Sequence, residues 1–123
     1  MNPKSAIIVD DEAHIRLFVK MILKDLGVED IREAKNGHEA LDAYKQEKPD
    51  IVLMDVNMAG MGGIDTLGRL HELDPDAFVI MLTSTATREI VEKCIQNGAR
   101  NYIRKDTPKD EIKEILKTTF ENA

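Results

Sequence analysis

One cysteine, no long apolar stretch and a shortage of basic charge each remove a class of protein from consideration. The lone thiol, Cys94, cannot close an internal disulfide, so a disulfide-stapled fold is excluded and a reducing setting is the default. It stands beside Ile90, Val91 and Ile95 at helical spacing and reads as a buried structural thiol. No apolar run approaches the ~20 residues that span a bilayer, and no signal-peptide pattern follows Met1-Asn2-Pro3-Lys4. Membrane insertion is not expected, and a cytoplasmic location is. Basic charge is scarce: 17 Lys and Arg face 23 Asp and Glu, a net −6 with no basic stripe, which argues against direct nucleic-acid binding. No linker, repeat or low-complexity segment interrupts the chain. Its 123 residues fit one domain, 1–123, long enough to bury a core.

What the chain does contain is strand and helix patterns in strict alternation. Residues 5–10 form a β-branched apolar run. Residues 12–26 follow with Ile15, Val19, Ile22, Leu23 and Leu26 on one helical face, and Gly27 supplies the stop. A short strand at 31–34 leads to Asn36 and Glu39, spaced as a capping box for a helix reaching about residue 47. Pro49 precedes the most hydrophobic strand, 51–54. Further on, a glycine-rich loop, a helix at 64–73, a strand at 78–82, a helix at 87–97 ended by Gly98, and a strand at 101–104 are expected. Thr107 as N-cap and Pro108 as first helical residue start the last helix, whose Ile112, Ile115, Leu116, Thr119 and Phe120 face the core. Such alternation implies an α/β fold, a doubly wound (βα)5 parallel sheet with helices on both faces. If the chain starts mid-sheet and reverses once, the order is 2-1-3-4-5, as in known flavodoxin-like folds, and ligands bind at the switch point between strands one and three.

Four of the apolar runs end in a polar residue. Residues 6–9 run into Asp10-Asp11, 51–54 into Asp55, 78–82 into Thr83, and 101–104 into Lys105. In the expected layout Asp10, Asp11 and Asp55 lie on adjacent strands ~4.8 Å apart. Like charges that close raise one another's pKa unless a cation compensates. Hard oxygen ligands with open positions suit Mg2+, with Mn2+ able to substitute. A short hydroxyl at Thr83 and a long ammonium at Lys105 would meet a phosphoryl group on Asp55, with an acyl phosphate as the product.

These residues resemble the receiver domain of bacterial two-component response regulators. The carriers are Ile7-Ile8-Val9-Asp10-Asp11-Glu12, Leu53-Met54-Asp55-Val56-Asn57-Met58, Gly60-Met61-Gly62-Gly63, Leu82-Thr83-Ser84 and Tyr102-Ile103-Arg104-Lys105, covering nearly the whole chain. The resemblance implies a stand-alone, chemotaxis-type phosphorylation switch rather than an enzyme, with limited self-phosphorylation from small phosphodonors and autodephosphorylation. Asp55 is then the acceptor, supplied by a sensor histidine kinase or a histidine phosphotransfer protein. Asp11 and Asp55 hold Mg2+ directly with the backbone carbonyl of Asn57, and Asp10 acts largely through water. Thr83 and Lys105 contact the phosphate beside the Ser84 amide, and Tyr102 matches the aromatic that turns inward when Thr83 moves. The responsive face comprises the fourth helix, fifth strand and last helix, with Glu89, Lys93, Arg104 and Lys113 as contributors toward a downstream target protein. Asn57 and Thr85 flank the site and tune the phosphoryl lifetime. Two positions depart from the family: Ala59 replaces a frequent proline, and Asp106 replaces the proline that usually follows the lysine in a cis peptide. A non-proline cis bond costs ~3 kcal/mol, so a trans Lys105–Asp106 peptide is expected.

Other readings fit less well. Asp10 and Asp11 alone would read as acidic residues at a helix start. A flavin carrier of this fold needs amide donors where Asp10-Asp11-Glu12 would repel phosphate. An aspartyl phosphatase would place a second acid where Asn57 stands. A receiver-shaped scaffold without phosphorylation would not need Asp55, Thr83 and Lys105 intact. The receiver portion of a longer regulator, with an output domain outside this chain, stays open. Met54, Met58, Met61 and Met81 read as packing, and His14, His38 and His71 as surface residues.

Overall fold

The computed structural model describes residues 1–84 and 86–123. Strand and helix alternate as β1 (Ser5–Val9), α1 (Ala13–Asp25), β2 (Asp30–Ala34), α2 (Gly37–Gln46), β3 (Ile51–Asp55), α3 (Gly63–Leu73), β4 (Val79–Thr83), α4 (Arg88–Gln96), β5 (Asn101–Arg104) and α5 (Lys109–Glu121). All pairings are parallel, and the sheet order is β2-β1-β3-β4-β5. The chain therefore reverses once, and the ends of β1 and β3 flank the reversal.

Alternation along the strands divides the core. Ala6, Ile8, Ile51, Leu53, Ile80, Leu82 and Ile103 pack against Val19, Ile22 and Leu23 of α1 and Ile112, Leu116 and Phe120 of α5. Ile7, Val9, Val52, Met54, Val79 and Met81 pack on the other face against Ala40, Tyr44, Leu67, Leu70 and Cys94 of α2, α3 and α4. Strands covered on both faces need apolar side chains at every position, which is why β1, β3 and β4 read as continuous hydrophobic runs. Burial at Cys94 pushes its thiol pKa up.

Most helix ends follow their local chemistry. Asn36 Oδ1 accepts the Glu39 N–H at 2.9 Å, while Glu39 reaches back to the Lys35 N–H at 3.0 Å, one residue earlier than in the usual capping box. Gly27 and Gly98 end α1 and α4 at φ of 90° and 98°, a region open to glycine. The last helix corrects the expected cap. Pro108 has an extended ψ of 146° and is itself the N-cap, its carbonyl accepting the Ile112 N–H at 3.0 Å; Thr107 instead closes a turn onto the Arg104 carbonyl. His71 is a second correction. His14 and His38 are exposed, but His71 is half-buried because α3 packs on the α4–β5 turn: its Nδ1 lies 3.1 Å from the Leu67 carbonyl and its ring lies against Gly98.

At the start of β3 and β4, Tyr44 donates to Asp74 Oδ2 at 2.8 Å and Lys48 pairs with the same oxygen at 2.7 Å. Lys48, then Tyr44, hold the Asp74 carboxyl down at about 2, while burial, then Asp74, pushes the Tyr44 hydroxyl above its ordinary range. This contact ties α2 to the end of α3 at the opposite end of the strands from Asp10 and Asp55.

Gly63, at the start of α3, lies where the helix meets the end of β3. A Cβ there would stand 2.0 Å from the Asp55 carbonyl oxygen and 2.8 Å from Val56 Cα, both backbone atoms. Gly63→Ala is expected to destabilise by about 1–3 kcal/mol through overpacking. Gly68→Ala in the same helix, where the Cβ meets only Asn97 Oδ1 at 3.4 Å, is expected to gain about 0.5–1 kcal/mol in helix propensity. Urea denaturation of both variants checks the contrast, and equal shifts would overturn the close-approach argument.

Candidate functional site

Val9 and Met54 are register partners, so Asp10 and Asp55 emerge side by side where β1 and β3 end. Both are buried, Asp10 at 0% and Asp55 at 1% exposure. Asp10, Asp55 and Lys105 continue the alternation of Ile8, Leu53 and Ile103, the residues facing α1 and α5. That shared parity lets one ammonium serve both acids. Lys105 Nζ lies 2.9 Å from Asp10 Oδ2 and 3.1 Å from Asp55 Oδ2, with Glu12 Oε1 farther off at 3.9 Å. Thr83 has the opposite parity, that of Val79 and Met81, and is buried where β4 ends.

The lysine is well aimed despite the residue that follows it. No described peptide is cis, so Lys105–Asp106 is trans as expected. The Lys105 N–H donates to the Thr83 carbonyl at 2.9 Å, extending the β4–β5 pairing by one residue. Thr107 N–H closes a turn onto the Arg104 carbonyl at 3.1 Å. Arg104 then bridges that turn with two bonds to Asp106, each 3.1 Å. A bidentate fork thus braces the segment.

Burial, then the charge of Asp10, raises the Asp55 pKa above the ordinary carboxylate value, against the pull of the Asn57 N–H and Lys105. Burial works against the charge of Lys105, but its two carboxylate partners outweigh it and raise its pKa. Asp10 Oδ1 accepts the Glu12 N–H at 2.9 Å. Its Oδ2 is close enough to Lys105 for a strong ion pair but lacks a well-directed hydrogen bond, leaving acceptor capacity in a buried atom. Asp11 is exposed, and among the described residues its carboxylate has no hydrogen-bond or ion-pair partner. One oxygen from each of Asp10, Asp11 and Asp55 lies within 4.8 Å of the others. Three carboxylates against one ammonium, with free acceptor capacity and an exposed side, fit a hard divalent ion such as Mg2+ or Mn2+.

Of the remaining expected residues, Asn57 lies at the rim, beside Ser84. Asn57 is exposed; its N–H donates to Asp55 Oδ1 at 3.1 Å, and its Nδ2 lies 3.4 Å from Ser84 Oγ. Tyr102 is 38% exposed on the edge strand, so its ring is outward. Thr85 lies outside the described residues. Lys113, on α5, pairs with Asp25 of α1 at 2.8 Å. Sequence reasoning missed Arg16, whose Nη1 donates to the Asp10 carbonyl at 2.8 Å and whose Nε bonds Glu33 Oε1 of β2 at 3.0 Å. A signal existed: a cation near a helix N-terminus opposes the dipole and calls for an acceptor.

Residues 6–117 match the response regulator receiver domain. The chemotaxis protein CheY of Thermotoga maritima is 38% identical over 113 residues, 92% of this chain and 94% of that protein. The sporulation initiation phosphotransferase F of Bacillus subtilis is 33% identical over 95% of this chain and 93% of its own. Among solved structures, a CheX–CheY–BeF3–Mg2+ complex from Borrelia burgdorferi superposes with a TM-score of 0.89 at 30% identity, covering 94% of this chain and 88% of that one. No helix among the described residues is long and apolar enough to cross a membrane.

The raised Asp55 pKa has a definite sign. An acid whose folded pKa exceeds its unfolded value costs stability once pH rises above that window, because the unfolded chain releases the proton more readily. In metal-free buffer at pH 7, Asp55→Asn is therefore expected to raise the urea midpoint. The advantage should shrink as pH falls through the raised Asp55 pKa toward its ordinary value of 3.8. A variant less stable than wild type across that range would overturn the assignment of like-charge strain to Asp10 and Asp55.

Proposed function

Because the chain belongs to the response regulator receiver family, whose members act as phosphorylation-activated switches rather than classical enzymes, we propose that Asp55 is its phosphoryl acceptor. The observation that carries the reading is a buried Asp55 carboxylate held 3.1 Å from Lys105 Nζ at the edge of an acidic cluster. A carboxylate oxygen of Asp55 attacks the phosphorus of a phosphohistidine or small phosphodonor. The new O–P bond forms as the bond to the leaving nitrogen or oxygen breaks, giving an acyl phosphate. Lys105 then transfers its ion pair from the Asp55 oxygen to the phosphoryl oxygens while keeping Asp10. Asp11 and Asp55, with the Asn57 carbonyl and with Asp10 largely through water, would hold Mg2+, which would neutralise phosphoryl oxygen charge when bound. Thr83 supplies a hydroxyl to the phosphoryl group from the neighbouring strand.

The partners are a sensor histidine kinase or a histidine phosphotransfer protein on one side and a downstream target protein on the other, working in the cytoplasm, with residues 1–123 acting as one receiver domain. The CheX complex of the Borrelia relative supports a protein target, since that CheY binds its partner in the BeF3 and Mg2+ form. The responsive face combines α4, β5 and α5, with the exposed Tyr102, the Glu89–Lys93 pair and Arg104 upon it. Phosphorylation shifts an existing equilibrium by drawing Thr83 toward Asp55 and opening space for Tyr102 to turn inward.

Incubation with Mg2+ and acetyl phosphate or beryllofluoride, read by intact mass and amide NMR, tests this directly. Wild type is expected to gain the phosphoryl adduct and to shift amides around Thr83 and Tyr102; Asp55→Asn gives neither. Labelling that persists in Asp55→Asn refutes the acceptor. Lys105→Ala is expected to reduce the Tyr102 response more than it reduces Mg2+ affinity, and equal losses would show that the lysine serves a different function.

A further inference from the structure

Asp11 presents a problem of aim. Its carboxylate completes the acidic cluster, yet among the described residues no side-chain or backbone donor holds it. Its direction therefore follows from its backbone, and that backbone begins with the peptide plane shared by the Asp10 carbonyl and the Asp11 N–H. The β1–β2 ladder makes its last bond from the Asp10 N–H to the Ala34 carbonyl at 3.1 Å, and the Glu12 N–H turns back to Asp10 Oδ1 at 2.9 Å, but neither bond holds the Asp10 carbonyl. Arg16 does: its Nη1 donates to the Asp10 carbonyl at 2.8 Å, and its Nε is anchored on Glu33 of β2 at 3.0 Å.

We propose that Arg16 is a positioning residue for the metal site, holding the Asp10–Asp11 peptide plane so that Asp11 is aimed before any cation arrives. A plain α1–β2 ion pair would leave both partners near solvent and spend the guanidinium on carboxylate. Here the Arg16 side chain is only 11% exposed, against 39% for Glu33, and one arm of the fork goes to a carbonyl. Planar geometry lets Arg16 serve both acceptors from one rigid group, which a lysine ammonium on a flexible stem does less well. Its positive charge also lies behind a cluster with an excess of negative charge. Lys20 Nζ, 3.9 Å from the second Glu33 oxygen, places a second cation beside the anchor.

The inference rests on the metal reading of Asp10, Asp11 and Asp55, so the experiment has a metal-free arm and a metal arm. Without metal, the Asp11 amide order parameter in Arg16→Met is expected to fall from the rigid value of ~0.85 toward ~0.6. With Mn2+ as probe, Arg16→Met is expected to bind about tenfold more weakly, the scale of lost outer-sphere support, and Arg16→Lys to recover part of that loss. Tyr44→Phe is the control: it removes a bond near the start of β3 and β4, lowers the urea midpoint, and leaves both readouts unchanged. Unaltered Asp11 dynamics in Arg16→Met, or the same losses in Tyr44→Phe, overturn the positioning role. If Arg16→Met does not fold, Glu33→Ala frees one end of the guanidinium, and Asp11 dynamics equal to wild type in it overturn the proposal. A wild type that binds no Mn2+, or an Asp55→Asn that binds it equally, overturns the metal reading instead, while the metal-free arm still decides what Arg16 does to Asp11.

Discussion

Two carboxylates buried side by side repel each other, and Lys105 is the cation that this chain brings to both of them. Its ammonium contacts Asp10 and Asp55 at 2.9 and 3.1 Å, and the shape of the surrounding structure follows from making that contact possible. The lysine comes from the edge strand, with β4 between it and Asp55, so it needs a long stem and the same side-chain parity as both acids. Parallel pairing supplies the parity, because β1, β3 and β5 end in register on one side of the sheet. The Lys105 N–H bond to the Thr83 carbonyl then fixes where the stem begins. One ammonium does not balance three acids, and this residual imbalance makes the strand ends a place for a divalent cation rather than a closed structural pair.

The turn after Lys105 shows how a local substitution can be absorbed. Proline would restrict the backbone through its ring. Asp106 instead restrains it from outside, through the two-bond fork to Arg104 across the turn that Thr107 closes. Both side chains are largely exposed, so the brace is weaker than a buried one and is screened by salt. The aim of Lys105 therefore depends chiefly on the buried bond to Thr83, and the Arg104–Asp106 fork refines it.

Much of this was legible because burial leaves a plain trace. Strands β1, β3 and β4, covered on both faces, read as unbroken apolar runs, and the polar residue ending each run marked Asp10, Asp55 and Thr83 without coordinates. Edge strands β2 and β5 gave fainter traces because only one residue in each, Ala34 and Ile103, is buried. The cap of α5 was misplaced by one residue, since Thr-Pro suits both a capping threonine with proline inside the helix and a proline cap, and only the extended ψ of Pro108 separates them. His71 was misjudged because helical position does not reveal a neighbouring turn. Arg16 went unseen for a deeper reason: its acceptor is a backbone carbonyl, which carries no residue identity in the sequence.

Strand alternation also sorts the strand-end side chains onto two faces. Asp10, Asp55 and Lys105 face the α1 and α5 side, whereas Thr83, Tyr102 and Arg104 share the parity that faces α2, α3 and α4. A phosphoryl group on Asp55 would sit at the sheet edge, where both parities are within reach, and Thr83 is the residue of the second parity at the end of the next strand. A shift of the Thr83 backbone cannot stay within β4, because its carbonyl holds the Lys105 N–H and its register partner is Arg104. Tyr102, two residues earlier on β5, is on the same strand face and is 38% exposed. One hydrogen bond between adjacent strands thus joins the Thr83 carbonyl to the strand that carries the surface aromatic. As an edge strand with a neighbour on one side only, β5 can shift without repacking a second strand.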